Sequence, residues 1–301
     1  MTDYAPQFCT VWPAGFRAAA SFTFDVDAEA AVLSAVPGSA SRMSVMSHQE
    51  YGPLVGVPRL LRLLSRLGIR STFFVPGYTA HRHPDVVRSI AAEGHEIAHH
   101  GYLHEPIGGV DEATEIEYLE RGLDALAEVA GVRPRGYRAP MWELNYRSPR
   151  LLHDRDFLYD SSLMNGDAPY ELSTGSDLTS IVEIPINWGF DDWEQYCYIP
   201  DAFGIGLIES PAKTEEMWLL DMAAMREEGG CFVHTSHPFL SGRPARAEAL
   251  GRVMVETIAC GDVWVATMSE IALHVRSQEL TPFKMLPPII DFHGGRPVSD
   301  A

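Results

Sequence analysis

The segment "RSTFFVPGYTAHRHPDVVRSIAAEGHEIAHH", residues 70–100, decides the fold. It opens on a short apolar run, "RSTFFVPG" (70–77), with the character of a strand. "HPDVVRSIAAEG" (83–94) follows as a helix, with proline near its start and glycine at its end. "HEIAHH" (95–100) is a second strand. Strand, helix and strand in about thirty residues make one crossover unit, which requires parallel strands.

The alternation continues in both directions. Upstream, "SFTFDVD" (21–27) reads as a buried strand ending in acid, and "VPRLLRLLSRLG" (57–68) sets leucines at helical spacing with Gly68 as its stop. Downstream, "EATEIEYLERGLDALAEVAG" (112–131) is a long helix closed by Gly131. "RGYRAP" (135–140), "LYDSS" (158–162) and "IVEIPIN" (181–187) are further strands, with "SPRLLHDRDF" (148–157) a helix between the first two. A helix at "AKTEEMWLLDMAAMREEGG" (212–230), a strand at "CFVHTSHP" (231–238), a helix around 246–259 and "DVWVATM" (262–268) complete the series. About seven such units predict an α/β barrel, closed or nearly so, with a doubly wound open sheet as the alternative. One domain is expected over residues 1–301, its core at 20–270 and an irregular, proline-rich tail at 276–301.

Composition narrows the function classes. Hydrophobic residues make up 46% and charged residues 21%, enough for a large core. A net charge of −18 argues against nucleic acid or an anionic membrane as partner, while serving any cation site well. No apolar run is long enough to span a bilayer. The first residues lack a basic leader followed by an apolar core, so a cytoplasmic location is expected. Cys9, Cys197, Cys231 and Cys260 form no C-x-x-C pair, which argues against a zinc ribbon or a disulfide scaffold.

In parallel α/β folds the sites form beyond the carboxyl ends of the strands. Asp25 and Asp27 close the first strand, His100 another, with His104 just beyond. Arg138 ends a third, Asp160 a fourth and His237 the late strand, so residues far apart in sequence meet on one rim. Asp25 and Asp27, at i and i+2, aim two carboxylates at one point, which is costly unless a cation or a shared proton relieves them. His100 and His104, at i and i+4, align on a helical turn or a tight loop. One carboxylate and two imidazoles make a three-ligand set for Zn²⁺, Co²⁺, Fe²⁺ or Ni²⁺, leaving the other carboxylate as a base. His95 starts its strand and faces the opposite rim; His99 alternates away from the site, and His234 belongs to the core. His48, His81 and His83 read as loop or cap residues.

These residues resemble the polysaccharide deacetylases, carbohydrate esterase family 4 with NodB homology, over about residues 20–270. The resemblance rests on "FTFDVD", "AHHGYLH", "GYRAPMW" and "VHTSHP", in that order. It implies an irregular (β/α)7 barrel and a divalent metal, zinc foremost, in an enzyme that hydrolyses an N-acetyl group. By carry-over Asp27, His100 and His104 are the ligands, Asp25 is the general base held by Arg138, and His237 is the general acid. The backbone N–H of Met141 faces the oxyanion, and either Asp191 or Asp192 orients His237. Trp142, Trp188 and Trp193 are expected to wall the pocket.

Asp25-Val26-Asp27-Ala28, where common members carry two adjacent acids and glycine, and Gly101-Tyr102 between the histidines resemble an intracellular branch. That branch holds peptidoglycan-deacetylase-like proteins, cyclic imide hydrolases and allantoinases, and implies a homotetramer. The resemblance therefore implies a metal-dependent hydrolase of non-peptide C–N bonds acting on an amino-sugar acetamide. A cyclic imide or ureide amidohydrolase is the alternative, and an inactive sugar-binding or scaffold protein is the non-enzymatic one.

Overall fold

The first strand, β1 (Ala18–Asp25), is buried at all eight positions, as an apolar strand covered on both faces must be. The chain is described by a computed structural model covering residues 7–9, 11–175, 179–200, 202–203, 206–288, 291–293 and 296–298. In chain order the strands after β1 are β2 (Thr72–Val75), β3 (Glu96–His99), β4 (Gly136–Tyr137), β5 (Tyr159–Asp160), β6 (Tyr170–Ser173), β7 (Ser180–Glu183), β8 (Cys231–Ser236) and β9 (Val263–Val265). One edge of β1 pairs with β8; its other edge pairs with β9 at the start and β2 at the end, all in parallel. The sheet runs on through β3, β4, β5 and β7, still parallel, and ends on β6, antiparallel to β7.

Helices clothe the outside: α1 (Ala30–Ala35), α2 (Met43–Tyr51), α3 (Val57–Leu67), α4 (Gly77–Arg82), α5 (Pro84–Ala92), α6 (Glu112–Ala130), α7 (Ser148–His153), α8 (Trp193–Tyr196), α9 (Pro211–Glu228), α10 (Pro244–Ala259) and α11 (Met268–Arg276). α3 packs its leucines inward and stops at Gly68, whose φ of 68° is the left-handed conformation glycine supplies cheaply. α6 starts on Asp111, whose side chain accepts the Thr114 N–H, and stops at Gly131 in the same left-handed state. None of the described helices is long and apolar enough to cross a membrane. All four cysteines are free.

The expected barrel is present as a curled, incomplete one. Among the described residues β7 and β8 form no ladder, and the gap is crossed by a single bridge between Asp191 and Thr235. Two features depart from the sequence reading. β6 turns the sheet's end into an antiparallel hairpin, where only parallel strands were expected. The tail is also less irregular than its prolines suggest. Phe283 exchanges backbone hydrogen bonds with Glu171 and Ser173, covering the outer edge of β6, and β10 (Asp291–His293) pairs with β11 (Arg296–Val298).

Candidate active site

Parallel strands deliver their carboxyl ends to one rim, and the polar residues of that rim are almost wholly buried. Asp25, Asp27 and His100 are each 1% exposed, and Arg138 is fully covered. Arg138 explains its own burial. Its Nη1 donates to Asp25 Oδ1 at 2.7 Å and to Thr23 Oγ1 at 3.0 Å, while Nε and Nη2 reach the carbonyl and hydroxyl of Ser161. The guanidinium also lies 4.0 Å above the Phe74 ring. Asp25 is thereby fixed in direction by a fully desolvated partner.

Asp27 is the opposite case. Both of its carboxylate oxygens are buried and, among the described residues, accept no hydrogen bond. Around them stand three imidazole Nε2 atoms: His100 at 3.5 Å, His104 at 3.6 Å and His237 at 3.7 Å. His100 donates Nδ1–H to the Arg138 carbonyl at 2.7 Å, so its other nitrogen presents a lone pair. Burial pushes this ring's pKa down to about 3, keeping it neutral, the form that binds metal. His104 returns beside it, ring centroids 4.9 Å apart, through a loop rather than a helical turn. Gly101 bends that loop at φ 73°, and a side chain there would meet Pro140 at 2.9 Å. Glu105 then gathers the N–H groups of Tyr102 and Leu103.

The ligand atoms of Asp27, His100 and His104 all lie within 4.8 Å of one another. Donors about 2 Å from a tetrahedral cation stand about 3.3–3.5 Å apart, close to the spacings here and too long for hydrogen bonds between the donors themselves. An orphaned, buried carboxylate facing two neutral imidazoles fits a divalent cation. Asp191, Asp192 and His237 form a second compact group, in which both Asp192 oxygens already accept hydrogen bonds. Asp192 accepts His237 Nδ1 at 2.8 Å, the His237 backbone N–H at 2.9 Å and the Ser241 N–H at 3.0 Å. Asp191 stands farther from Nδ1, at 3.4 Å, and accepts the Trp193 N–H, so Asp192 is the residue that aims the ring. Burial alone would discharge His237; the two aspartates outweigh it and hold its pKa well above the ordinary value.

Asp25, Asp27, His100, His104, Asp191 and His237 line a cavity of about 100 Å³, while Arg138 and Asp192 stand behind it. Its walls are Met141, Trp142, Trp188 and Trp193. Trp142 and Trp188 stack at 4.0 Å, and Trp193 meets the edge of His237 at 4.9 Å. The expected residues therefore come together. His95 accepts the Ser71 N–H at the other rim, His99 points into α6 at the Leu119 carbonyl, and His234 packs against Trp218 in the core. His83 is more than a cap, since it pairs with buried Glu29 at 2.8 Å.

The sequence reading missed two contributors. Thr23 alternates with Asp25 on β1, so the same i, i+2 logic reaches it. Glu194 also lines the cavity, and burial together with the Asp191 charge pushes its carboxyl up to about 8. Nothing in the pattern around it distinguishes that glutamate from a surface one. Backbone strain collects here too. Ala28, His104, Met141 and Trp142 have positive φ, four of the six such non-glycine residues among those described.

Comparison with known proteins agrees with this geometry. The family model Polysaccharide deacetylase matches residues 39–157, a span holding both histidines and Arg138. The chain is 30% identical over 251 residues to the peptidoglycan deacetylase of Helicobacter pylori, covering 74% of this chain and 84% of that protein. The crystal structure of a "putative polysaccharide deacetylase from Mycobacterium smegmatis" superposes with a TM-score of 0.93 at 57% identity, covering 96% of this chain and all of that one. Puue allantoinase superposes with a TM-score of 0.78 at 27% identity, covering 91% and 95%. Fold, cation cluster and sequence agree, and the chain belongs to the polysaccharide deacetylase family as a metal-dependent hydrolase of amide C–N bonds.

Proposed function

We propose that the protein removes the acetyl group from an N-acetyl amino sugar, with Asp27, His100 and His104 holding one divalent cation. Zinc is the first choice for one carboxylate and two imidazoles, with cobalt, nickel and iron as alternatives. When bound, the ion supplies Lewis-acid polarisation of the scissile carbonyl and of water. Asp25, oriented by Arg138, takes the proton of the attacking water. The Met141 N–H donates to the oxygen on which negative charge gathers. His237, aimed by Asp192, returns a proton to the departing nitrogen, a step amides demand because an amide anion is a poor leaving group. The observation that carries this reading is the pair of buried Asp27 oxygens left without hydrogen bonds beside an Asp25 locked onto Arg138. The sugar substrate is suggested by the named activity of the Helicobacter pylori relative.

A cyclic imide or ureide substrate is a second reading. It is favoured by the small, tryptophan-walled cavity and the likeness to Puue allantoinase. A hydrolysis panel on the zinc-loaded protein separates the two: acetylated chitooligosaccharides against succinimide, dihydrouracil and allantoin. Acetate release from the oligosaccharides with the rings untouched is expected. Ring opening alone would overturn the deacetylase reading. The chain is further proposed to act as one catalytic unit in the cytoplasm, without nucleic-acid or membrane partners, and as a homotetramer. Exposed Leu207 and Ile208 are consistent with self-association, which light scattering tests.

A further inference from the structure

Behind the loop that carries Arg138 and Met141 lie two acids that the proposed reaction does not use. Asp160 ends β5 and Glu183 ends β7; they are register partners on adjacent parallel strands, and both are fully buried. Among the described residues neither forms an ion pair. Burial raises both carboxyls above their ordinary values, and each interacts with the other across the ladder. Glu183 Oε1 accepts the backbone N–H groups of Ser162 at 3.2 Å and Leu163 at 2.9 Å. Asp160 Oδ1 accepts the Ser162 hydroxyl at 2.8 Å. Those two oxygens are therefore acceptors. The remaining pair, Asp160 Oδ2 and Glu183 Oε2, is buried with no donor among the described residues. Two buried carboxylates on neighbouring register positions, with no cation or donor to serve those oxygens, are relieved by one shared proton.

The groups around the pair do not replace that proton. Tyr137 on β4, Tyr159 beside Asp160 and Tyr170 on β6 are all buried, and burial raises their phenol pKa values. Arg138 spends its donors on Asp25, Thr23 and Ser161. Of the helices packed on β7, α7 commits Arg150 to Glu112 and Asp154, its His153 lies beside Asp154, and α11 commits Arg276 to Glu171 and Ser180.

The pair connects directly to the catalytic loop. Ser162, whose hydroxyl donates to Asp160, accepts the Ala139 N–H at 2.9 Å. Ala139 lies between Arg138 and the turn Pro140–Trp142, where Met141 (φ 58°) and Trp142 (φ 55°) are both strained. Successive non-glycine residues at positive φ persist only where their surroundings over-determine them. We propose that Asp160 and Glu183 share one proton, and that this carboxyl–carboxylate pair, acting through Ser162, positions the Arg138–Trp142 loop for catalysis. Both are positioning residues, and their role rests on the amide-hydrolase reading above.

The shared proton makes an unusual pattern of variants. Glu183→Gln and Asp160→Asn each place an amide N–H where the proton was, so each single variant should keep kcat within about threefold. The double variant sets two NH2 groups face to face and should lose about tenfold or more in kcat, as should Ser162→Ala, because misplacing a reacting group by even 1 Å costs about that much or more. In all four, bound zinc per chain should stay within about twofold, since Asp27, His100 and His104 come from other segments, and kcat should fall further than KM rises. A double variant as active as the singles, or single variants as impaired as the double, would overturn the shared proton. An unchanged kcat in folded Ser162→Ala would overturn the positioning role. Should the wild type hydrolyse nothing in the panel, the functional reading fails, yet thermal midpoints still decide the pair. Intact midpoints in the singles with a lowered one in the double sustain the shared proton, and any other order refutes it.

Discussion

Asp25 and Asp27 are two residues apart, chemically identical and equally buried, yet their surroundings differ. Asp25 accepts a charged donor at 2.7 Å; Asp27 accepts none. Substitution should separate them. Asp27→Ala or His104→Ala is expected to abolish retention of about one zinc ion per chain, the stoichiometry of a three-ligand catalytic site. Asp25→Asn should keep the metal and lower kcat about 10²–10⁴-fold, the range of a lost general base. Metal analysis after gel filtration, read beside turnover, checks both. Full occupancy in the Asp27 and His104 variants would remove the ligand assignment. The principal residues of the site were legible because aspartate at i, i+2 and histidine at i, i+4 are local patterns. The choice of Asp192 over Asp191, and the presence of Glu194 and Glu183, were not. They depend on distances across the rim that no local spacing encodes.

Among the elements, the long helices and the early strands were readable from period and stop signals, as α3 and α6 illustrate with Gly68 and Gly131. α2 was not, because it carries no apolar stripe: Gln49 is its one buried residue. β4 and β5 fall inside the expected strand stretches 135–140 and 158–162, but each is only two residues long, a shortness no period reveals. One helix reaches the site through a missing side chain. A methyl group on Gly122 of α6 would stand 2.2 Å from His99 Nε2 and 2.8 Å from the Gly101 carbonyl. Gly122→Ala should therefore push α6 away from the segment bearing His100 and His104, costing about 1–3 kcal/mol as overpacked cores do. Both the thermal midpoint and zinc retention should fall, while Glu117→Ala on the exposed face of the same helix leaves both unchanged. Intact zinc retention in Gly122→Ala would show that the loop does not lean on the helix.

At the scale of the whole molecule, the rule that parallel strands gather function at their carboxyl ends made the site legible before any coordinate. The degree of closure was not legible, since it turns on whether β7 and β8 meet. Global stability should also respond to acid. Burial holds His234 down to about 3 and His99 to about 4, against an ordinary value of 6.5. An unfolded chain takes up protons on these rings below pH 6.5, which the folded chain refuses, so their contribution is whole above 6.5 and drains away as pH falls toward 3–4. Thermal midpoints of metal-free protein between about pH 4 and 8 should decline on the acid side, and His234→Leu should flatten that decline. An identical slope in the variant would remove His234 from the account.

The central strand has one more consequence, for biosynthesis. β1 is lined by β2, β8 and β9, and the Thr23 hydroxyl bonds a carbonyl 211 residues further along. A ribosome therefore releases β1 long before it has made the strands that cover it. For most of translation that greasy ribbon has one side bare and must be kept from strangers. A permuted gene that encodes β8 and β9 ahead of β1 would shorten the wait and yield more soluble product.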